Sequence, residues 1–246
     1  MDFSKINYQS FVGRVLRLPL RLIPKRMVLP ILQGKLRGKK WIVGSGEHGY
    51  WLGSYEIHKR RAFEQEVKPA QVVYDIGANV GFYSILAAHL AGAKGMVYAV
   101  EPLRRNVEFV RRHAEINQMK NIEVFEAAVS DQSGEAFFDL GVSIATGHLS
   151  ETGSVKVPMI RLDDLVLTGD ILPADIIKMD VEGAEHAALL GAEQLIATHR
   201  PIIFLDTHGR EVHDLTIKLL SNYGYQFEIL DNRPLSAAKE LIARPG

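Results

Sequence analysis

Two acidic residues and a pair of glycines set the first chemical expectation. Asp75-Ile76-Gly77-Ala78-Asn79-Val80-Gly81 closes a short apolar run with a G-x-x-x-G turn, and Glu101 follows Gly81 by twenty residues. Glycines let a turn tighten and let a ligand approach the backbone. The spacing lacks the G-x-G-x-x-G of a pyrophosphate-binding loop. Asp75, ahead of the turn, suits an ammonium group and repels a phosphate. Glu101, at the end of the next apolar run, suits the two hydroxyls of a ribose. Adenosine joined to an amino acid without a phosphate describes S-adenosylmethionine. Ala127 and Ala128 leave room for a flat adenine, and Ser130 or Asp131 could reach its exocyclic amine.

Methyl transfer from a sulfonium to an alcohol is an in-line displacement that needs alignment and a proton acceptor. Asp180 is the first candidate for that base, followed by Glu182 and Glu185, and then by Asp206-Thr207-His208. Histidine has an unperturbed pKa of about 6.5, convenient for a base. Glu182 and Glu185 also suit the positive end of a helix. No metal is assigned. If Mg²⁺ is used, Asp180 and Asp206 are the oxygen ligands, with His208 two residues on.

These residues need a scaffold of strand ends. Short apolar runs at 72–76, 96–100, 122–125, 175–179 and 201–205 read as buried strands. Helical patterns at 82–90, 103–118, 183–197 and 212–223 alternate with them, and 225–230 reads as a final strand. Phe137-Phe138 and 155–160 read as extra strands. Such alternation predicts an α/β fold with a mostly parallel, doubly wound sheet covered on both faces. Ligands then lie at the carboxyl ends of the strands, where strand order reverses. The Gly/Ser/Thr-rich stretch from Asp139 to Gly153, with His148, is a candidate substrate loop.

Lys plus Arg and Asp plus Glu number 29 each, but the charges are unevenly spread. Phe3 to Gly46 holds ten basic residues and no acidic one. This basic stretch is expected to be a helical or irregular arm, dispensable for the fold up to residue 40, in weak contact with an anionic membrane surface or glycan. Trp41, Tyr50, Trp51 and Tyr55 are expected either to pack in the arm or to cover a sugar or the cofactor. The absence of cysteine excludes disulfides, thiolate catalysis and cysteine-ligated zinc. No apolar run reaches the roughly 18 residues of a membrane span. A cytoplasmic protein, possible membrane-peripheral contact included, is expected. Oligomeric state is not legible.

With these motifs in order, the sequence resembles the FkbM-type family of S-adenosylmethionine-dependent methyltransferases. The matching stretches are Asp75 through Phe82-Tyr83-Ser84, then Glu101-Pro102, Ala128-Val129-Ser130-Asp131 and Arg161-Leu162-Asp163-Asp164, and finally Ile177-Lys178-Met179-Asp180-Val181-Glu182-Gly183-Ala184-Glu185. They run over about residues 70 to 231. The resemblance implies a Rossmann-like fold; the charge pattern makes residues 1–60 a basic arm and possible lid ahead of a methyltransferase domain at 61–246. The resemblance adds Ala78, Asn79, Phe82, Ser84 and Pro102 to the cofactor residues. It implies O-methylation of a sugar, glycan or polyketide-type hydroxyl, with no nucleic acid expected. The rival classes are an RNA or protein methyltransferase and a non-catalytic protein of the same fold. The former is favoured only by the basic arm. The latter is disfavoured because Asp75 and Glu101 are both retained.

Overall fold

The computed structural model describes residues 19–139, 148–150, 155–231 and 233–246. A short antiparallel ribbon comes first, β1 (Val28–Pro30) against β2 (Lys40–Ile42), followed by helices α1 (His48–Leu52) and α2 (Ile57–Glu66). The central sheet then begins with β3 (Val72–Ile76), α3 (Phe82–Ala91), β4 (Met96–Val100), α4 (Arg104–Ile116) and β5 (Ile122–Phe125). A side sheet follows, made of β6 (Ala128–Val129), β7 (Gly134–Asp139), β8 (His148–Ser150) and β9 (Val155–Ile160), and then α5 (Leu162–Thr168). The main fold resumes with β10 (Ile176–Met179), α6 (Glu185–Leu190), α7 (Glu193–His199), β11 (Ile202–Asp206), α8 (Arg210–Asn222), β12 (Tyr225–Ile229) and β13 (Glu240–Pro245).

The central sheet has the order β12-β13-β11-β10-β3-β4-β5. The five strands from β11 to β5 are mutually parallel, while β13 runs antiparallel to both β11 and β12. Successive side chains of a strand face opposite sides. Tyr74 and Ile76 of β3 accordingly join one core cluster with Leu189 of α6, Leu195 of α7 and Leu220 of α8. Val73 joins the other, with Phe63 of α2 and Ile85 and Leu86 of α3. The sheet is thus Rossmann-like and covered on both faces. Its strand order reverses between β3 and β10, which brings the turns after these two strands together.

Three differences from the sequence expectation have physical causes. The helix expected over 183–197 is two helices, α6 and α7, meeting at Gly191. A Cβ at Gly191 would lie 2.0 Å from the Ser130 carbonyl oxygen, so this residue admits the chain after β6 against the helix junction. Strand β13 went unread, because its apolar residues are few and it follows a turn-rich stretch. It sits between β11 and β12 and makes the sheet mixed.

The third difference concerns the first sixty residues. The described part of this stretch, residues 19–60, packs into the core. Ile31, Leu36, Trp41, Val43, Tyr50 and Trp51 are buried in the same cluster as Phe63 and α3. Trp41 is fully buried and stacks on His113 of α4 at 3.7 Å between ring centroids. His113 Nδ1 donates to the Val80 carbonyl at 2.9 Å, and its Nε2 accepts from the Ile42 N–H at 3.2 Å. Both ring nitrogens are therefore used by the neutral form, and burial holds this histidine down to about 4. Residues 1–40 thus include core side chains (Ile31, Leu36) and one strand of a ribbon. The boundary expected at residue 60 falls inside α2. Residues 1–18 lie outside the described residues, as does most of the expected substrate loop, of which only Asp139 and β8 are described.

Candidate active site

The turn after β3 meets the end of β10 at the closest possible range. Gly77 has φ +75°, and a Cβ there would lie 1.9 Å from the Asp180 carbonyl oxygen. Only glycine provides both the backbone conformation and the space. Asn79 also takes a positive φ, 48°, and Gly81, at φ +89°, packs against Val110 of α4.

Glu101 at the end of β4 secures this turn. Its Oε2 accepts from the Asn79 N–H at 2.8 Å, and its Oε1 accepts from the Leu103 N–H and from Asn106 Nδ2, both at 3.1 Å. Each carboxylate oxygen has two acceptor sites, so Oε2 retains one. Burial pushes Glu101 up. Asp75 faces inward. It is buried, takes the Ser84 hydroxyl at 2.5 Å on Oδ2, and has Lys178 Nζ 3.8 Å from Oδ1. Oδ1 has no hydrogen-bond partner. Ala78 and Phe82 are buried beside the turn, and Pro102 is half-buried. Farther along, Ala128 packs on Leu103 and Val157. Ser130 is buried and donates to Asp131 Oδ1 at 3.1 Å, while Asp131 is exposed. The expected cofactor residues therefore lie along the carboxyl ends of β3, β4 and β6.

A cavity of about 840 Å³ opens beside this row. Its walls include Asn79, Asp180, Glu182, Asp206 and His208 from the strand ends and Ser45, Tyr50, Tyr55, Glu56 and Lys59 from the N-terminal segment. The expected catalytic residues Asp180, Glu182 and His208 thus come together, with donor atoms within 4.8 Å of one another. His208 Nδ1 donates to Glu185 Oε1 at 2.8 Å. Its Nε2 lies 3.9 Å from Asp180 Oδ1 and 3.5 Å from Glu182 Oε2. Glu185 is wholly buried and also accepts from the Gly183 N–H at 3.0 Å. Bonding to Glu185, assisted by the nearby carboxylates Asp180 and Glu182, lifts His208 to about 9, well above the value expected from its residue type.

Asp206 does not join that group as the Mg²⁺ expectation had it. Its Oδ2 is bound by Lys59 Nζ at 2.6 Å, across 147 residues of sequence. Lys59 also bonds Glu56 Oε2 at 2.8 Å, and Glu56 takes the Tyr83 hydroxyl at 2.9 Å. Lys178 lies 3.7 Å from Asp180 Oδ2 and 5.4 Å from the centre of the Tyr83 ring. Two buried ammonium groups, Lys59 and Lys178, thus face five carboxyl groups, Asp75, Asp180, Asp206, Glu56 and Glu240. Burial and this excess of like charge push Asp206 up to about 7 against the pull of Lys59, while Lys178 and Lys59 hold Asp180 down. Nothing in the sequence signals Lys59. Lys178 does carry a signal, as a charge within the apolar run Ile176-Ile177-Lys178-Met179, where a buried partner is required.

Residues 75–227 match the Methyltransferase FkbM domain family. The chain belongs to that FkbM methyltransferase family. This makes it an S-adenosylmethionine-dependent methyltransferase. The chain is 26% identical over 213 residues to the 2-O-methyltransferase NoeI of Sinorhizobium fredii, covering 78% of this chain and 86% of the relative. It is 26% identical over 171 residues to the hexuronic acid methyltransferase AglP of Haloferax volcanii, covering 69% of each. It is also 26% identical over 217 residues to the 31-O-demethyl-FK506 methyltransferase FkbM of Streptomyces tacrolimicus, covering 72% of this chain and 80% of that one. In fold, this FkbM-family chain is similar to the crystal structure of methyltransferase FkbM from Methylobacillus flagellatus, with a TM-score of 0.51 at 20% identity, over 80% of this chain and 55% of that one.

Proposed function

We propose that this FkbM-family chain methylates a hydroxyl group of a sugar, glycan or polyketide-type molecule bound in the 840 Å³ cavity. The observation that carries this is the His208–Glu185 pair, with His208 Nε2 turned toward Asp180 and Glu182. The relatives support the acceptor class, since two of them are named for O-methylation and one for a hexuronic acid.

S-adenosylmethionine supplies, when bound, an electrophilic methyl group on a cationic sulfur. The residues fit such a cation, because the strand ends carry more carboxyl groups than ammonium groups. They also fit a ribose, because Glu101 Oε2 keeps an acceptor site beside the Gly77 turn. His208 takes the proton of the acceptor hydroxyl at Nε2 as the oxygen attacks. Glu185 fixes the ring orientation and stabilises the imidazolium that results. Asp180, ionised, orients the acceptor or the ring. Tyr50 and Tyr55, with ring centroids 4.4 Å apart, form an aromatic wall on which a sugar ring can lie. In this reading the segment from Ser45 to Lys59 forms one wall of the acceptor pocket.

The test is a cofactor-consumption screen against polyols, sugars and uronic acids, with the methylated position mapped by mass spectrometry. Methyl appearing on an oxygen supports the proposal, and methyl found only on nitrogen overturns it. Activity that survives a chelator leaves His208 as the base. Activity lost to a chelator and restored by Mg²⁺ assigns Asp180 and Glu182 to a metal instead.

A further inference from the structure

Among the described residues, eight large apolar side chains are exposed, and four of them, Leu22, Met27, Val28 and Leu32, fall within eleven residues of the N-terminal segment. Along β1 the exposure alternates. Val28, Pro30 and Leu32 face out, while Leu29 is half-buried and Ile31 buried. The outward residues are interleaved with exposed Lys25, Arg26, Lys35, Arg37 and Lys40. No carboxylate lies between Phe3 and Gly46 to offset them. An exposed apolar cluster rimmed by charge of one sign marks an interaction surface.

The segment is held firmly in place. The Val43 N–H donates to the Met27 carbonyl at 2.9 Å, and the Gly44 N–H donates to the Lys25 carbonyl at 2.7 Å. Gly44 leads directly into Ser45, Gly46 and Glu47, which line the cavity. The segment that carries this basic, apolar face thus runs in sequence directly into one wall of the acceptor pocket.

We propose that this face docks the enzyme on an anionic lipid surface, with Leu22, Val28 and Leu32 entering the headgroup layer and Lys25, Arg26, Lys35, Arg37 and Lys40 meeting lipid phosphates. Aliphatic side chains among lysines and arginines are the composition of interfacial membrane binding. Single-stranded nucleic acid would instead require aromatic stacking platforms, and no aromatic side chain is among the exposed residues of this face. Docked this way, the enzyme is held at the lipid surface by the segment that leads into the pocket wall. The acceptor class that fits is a hydroxylated headgroup or a lipid-linked glycan. The docking itself is independent of which acceptor is methylated.

The experiment is co-sedimentation of the full chain with vesicles of phosphatidylcholine alone and of phosphatidylcholine mixed with phosphatidylglycerol. The wild type is expected to pellet with the anionic vesicles only. A Lys25→Glu/Arg26→Glu double variant should bind them about thirtyfold more weakly, about fivefold for each basic group lost at the surface. A Val28→Ser/Leu32→Ser variant should lose about tenfold through the apolar contact. Both should keep wild-type circular dichroism and cofactor affinity, since neither pair lines the cavity. Wild-type protein that stays in the supernatant overturns the proposal, as does anionic binding that neither pair weakens. Vesicle-free self-association abolished by Val28→Ser/Leu32→Ser would make the face a contact between copies and overturn it too. Tighter binding to a random RNA oligomer than to vesicles would do the same.

Discussion

The proposed cofactor side and the proposed acceptor side of this site are built in opposite ways. The cofactor side is local. Gly77, Asn79, Gly81 and Glu101 sit on two adjacent strand ends within 25 residues, and Glu101 binds the Asn79 N–H directly. The acceptor side is assembled from distant segments. Lys59 reaches Asp206 across 147 residues, and Tyr50, Tyr55 and Glu56 come from a segment that precedes the whole sheet. Local turn geometry suits a constant ligand. Long-range assembly lets the pocket wall vary without disturbing the turns, which is where specificity for one acceptor among many can reside.

The largest expected effect is on the acceptor side. His208→Ala should lower kcat by about 10² to 10⁴, the usual loss for a general base, while the cofactor affinity stays at the wild-type value. Asp180→Asn should also slow turnover, less cleanly because Asp180 is tied to Lys178. The pH dependence carries a sign. His208 is held up to about 9 in the folded protein, so the base form grows as pH rises, and kcat/KM should increase toward a plateau above about 9. The stability it contributes runs the other way, being fully present below the ordinary histidine value of 6.5 and lost as pH rises through about 9. A flat kcat/KM profile between pH 6 and 9 would remove the histidine from the proton-transfer role.

Next comes the brace between the N-terminal segment and the sheet. Lys59→Met leaves Asp206 without its ammonium partner in a buried place. The expected cost is about 3 kcal/mol, at the low end for a broken buried pair because Asp206 can take a proton. Denaturant unfolding measures it, and an unchanged midpoint would show that Lys59 does not brace the two regions. Here the sequence was mute. A lysine three residues after a glutamate on a polar helix is the pattern of a solvated face, and only the tertiary fold turns it inward.

His113 gives an effect of similar size in a different window. It is neutral and buried between Trp41 and Val80, with a value depressed to about 4. The stability it contributes is present above 6.5 and lost as pH falls from there through about 4, on the order of 3 kcal/mol in all. Replacing His113 by Gln, which keeps donor and acceptor without the charge, should flatten that part of the stability profile. A profile unchanged by His113→Gln would place the acid sensitivity elsewhere.

Much of the fold was legible because its signals are short-range. The apolar runs at β3, β4, β5, β10 and β11 and the helices α3, α4 and α8 stand where periodicity put them, while the stretch 183–197 divides into α6 and α7. What escaped depends on contacts between distant residues. β13 is recognised as a strand chiefly by its two antiparallel neighbours. The burial of Trp41 and Ile31 depends on α3 and α4 lying across them. Three prolines and ten basic residues made the first forty residues look detached, yet the apolar residues between the charges were the ones that count. In the site, Asp180, Glu182 and His208 were legible from their places after predicted strands. Glu185 as the partner of His208 was not, because α6 begins with a turn at Gly183 (φ +102°) that directs its first carboxylate back toward β11.

The separation of the two halves is tested most directly by calorimetric titration of S-adenosylmethionine into Glu101→Ala and His208→Ala proteins side by side. Glu101→Ala should weaken binding by about 1.5–3 kcal/mol, the usual loss of a hydrogen bond to a charged group, and His208→Ala should bind as the wild type does. Unchanged affinity in Glu101→Ala, or a comparable loss in His208→Ala, would contradict the assignment of the β3–β4 turns to the cofactor and of the β10–β11 ends to the acceptor.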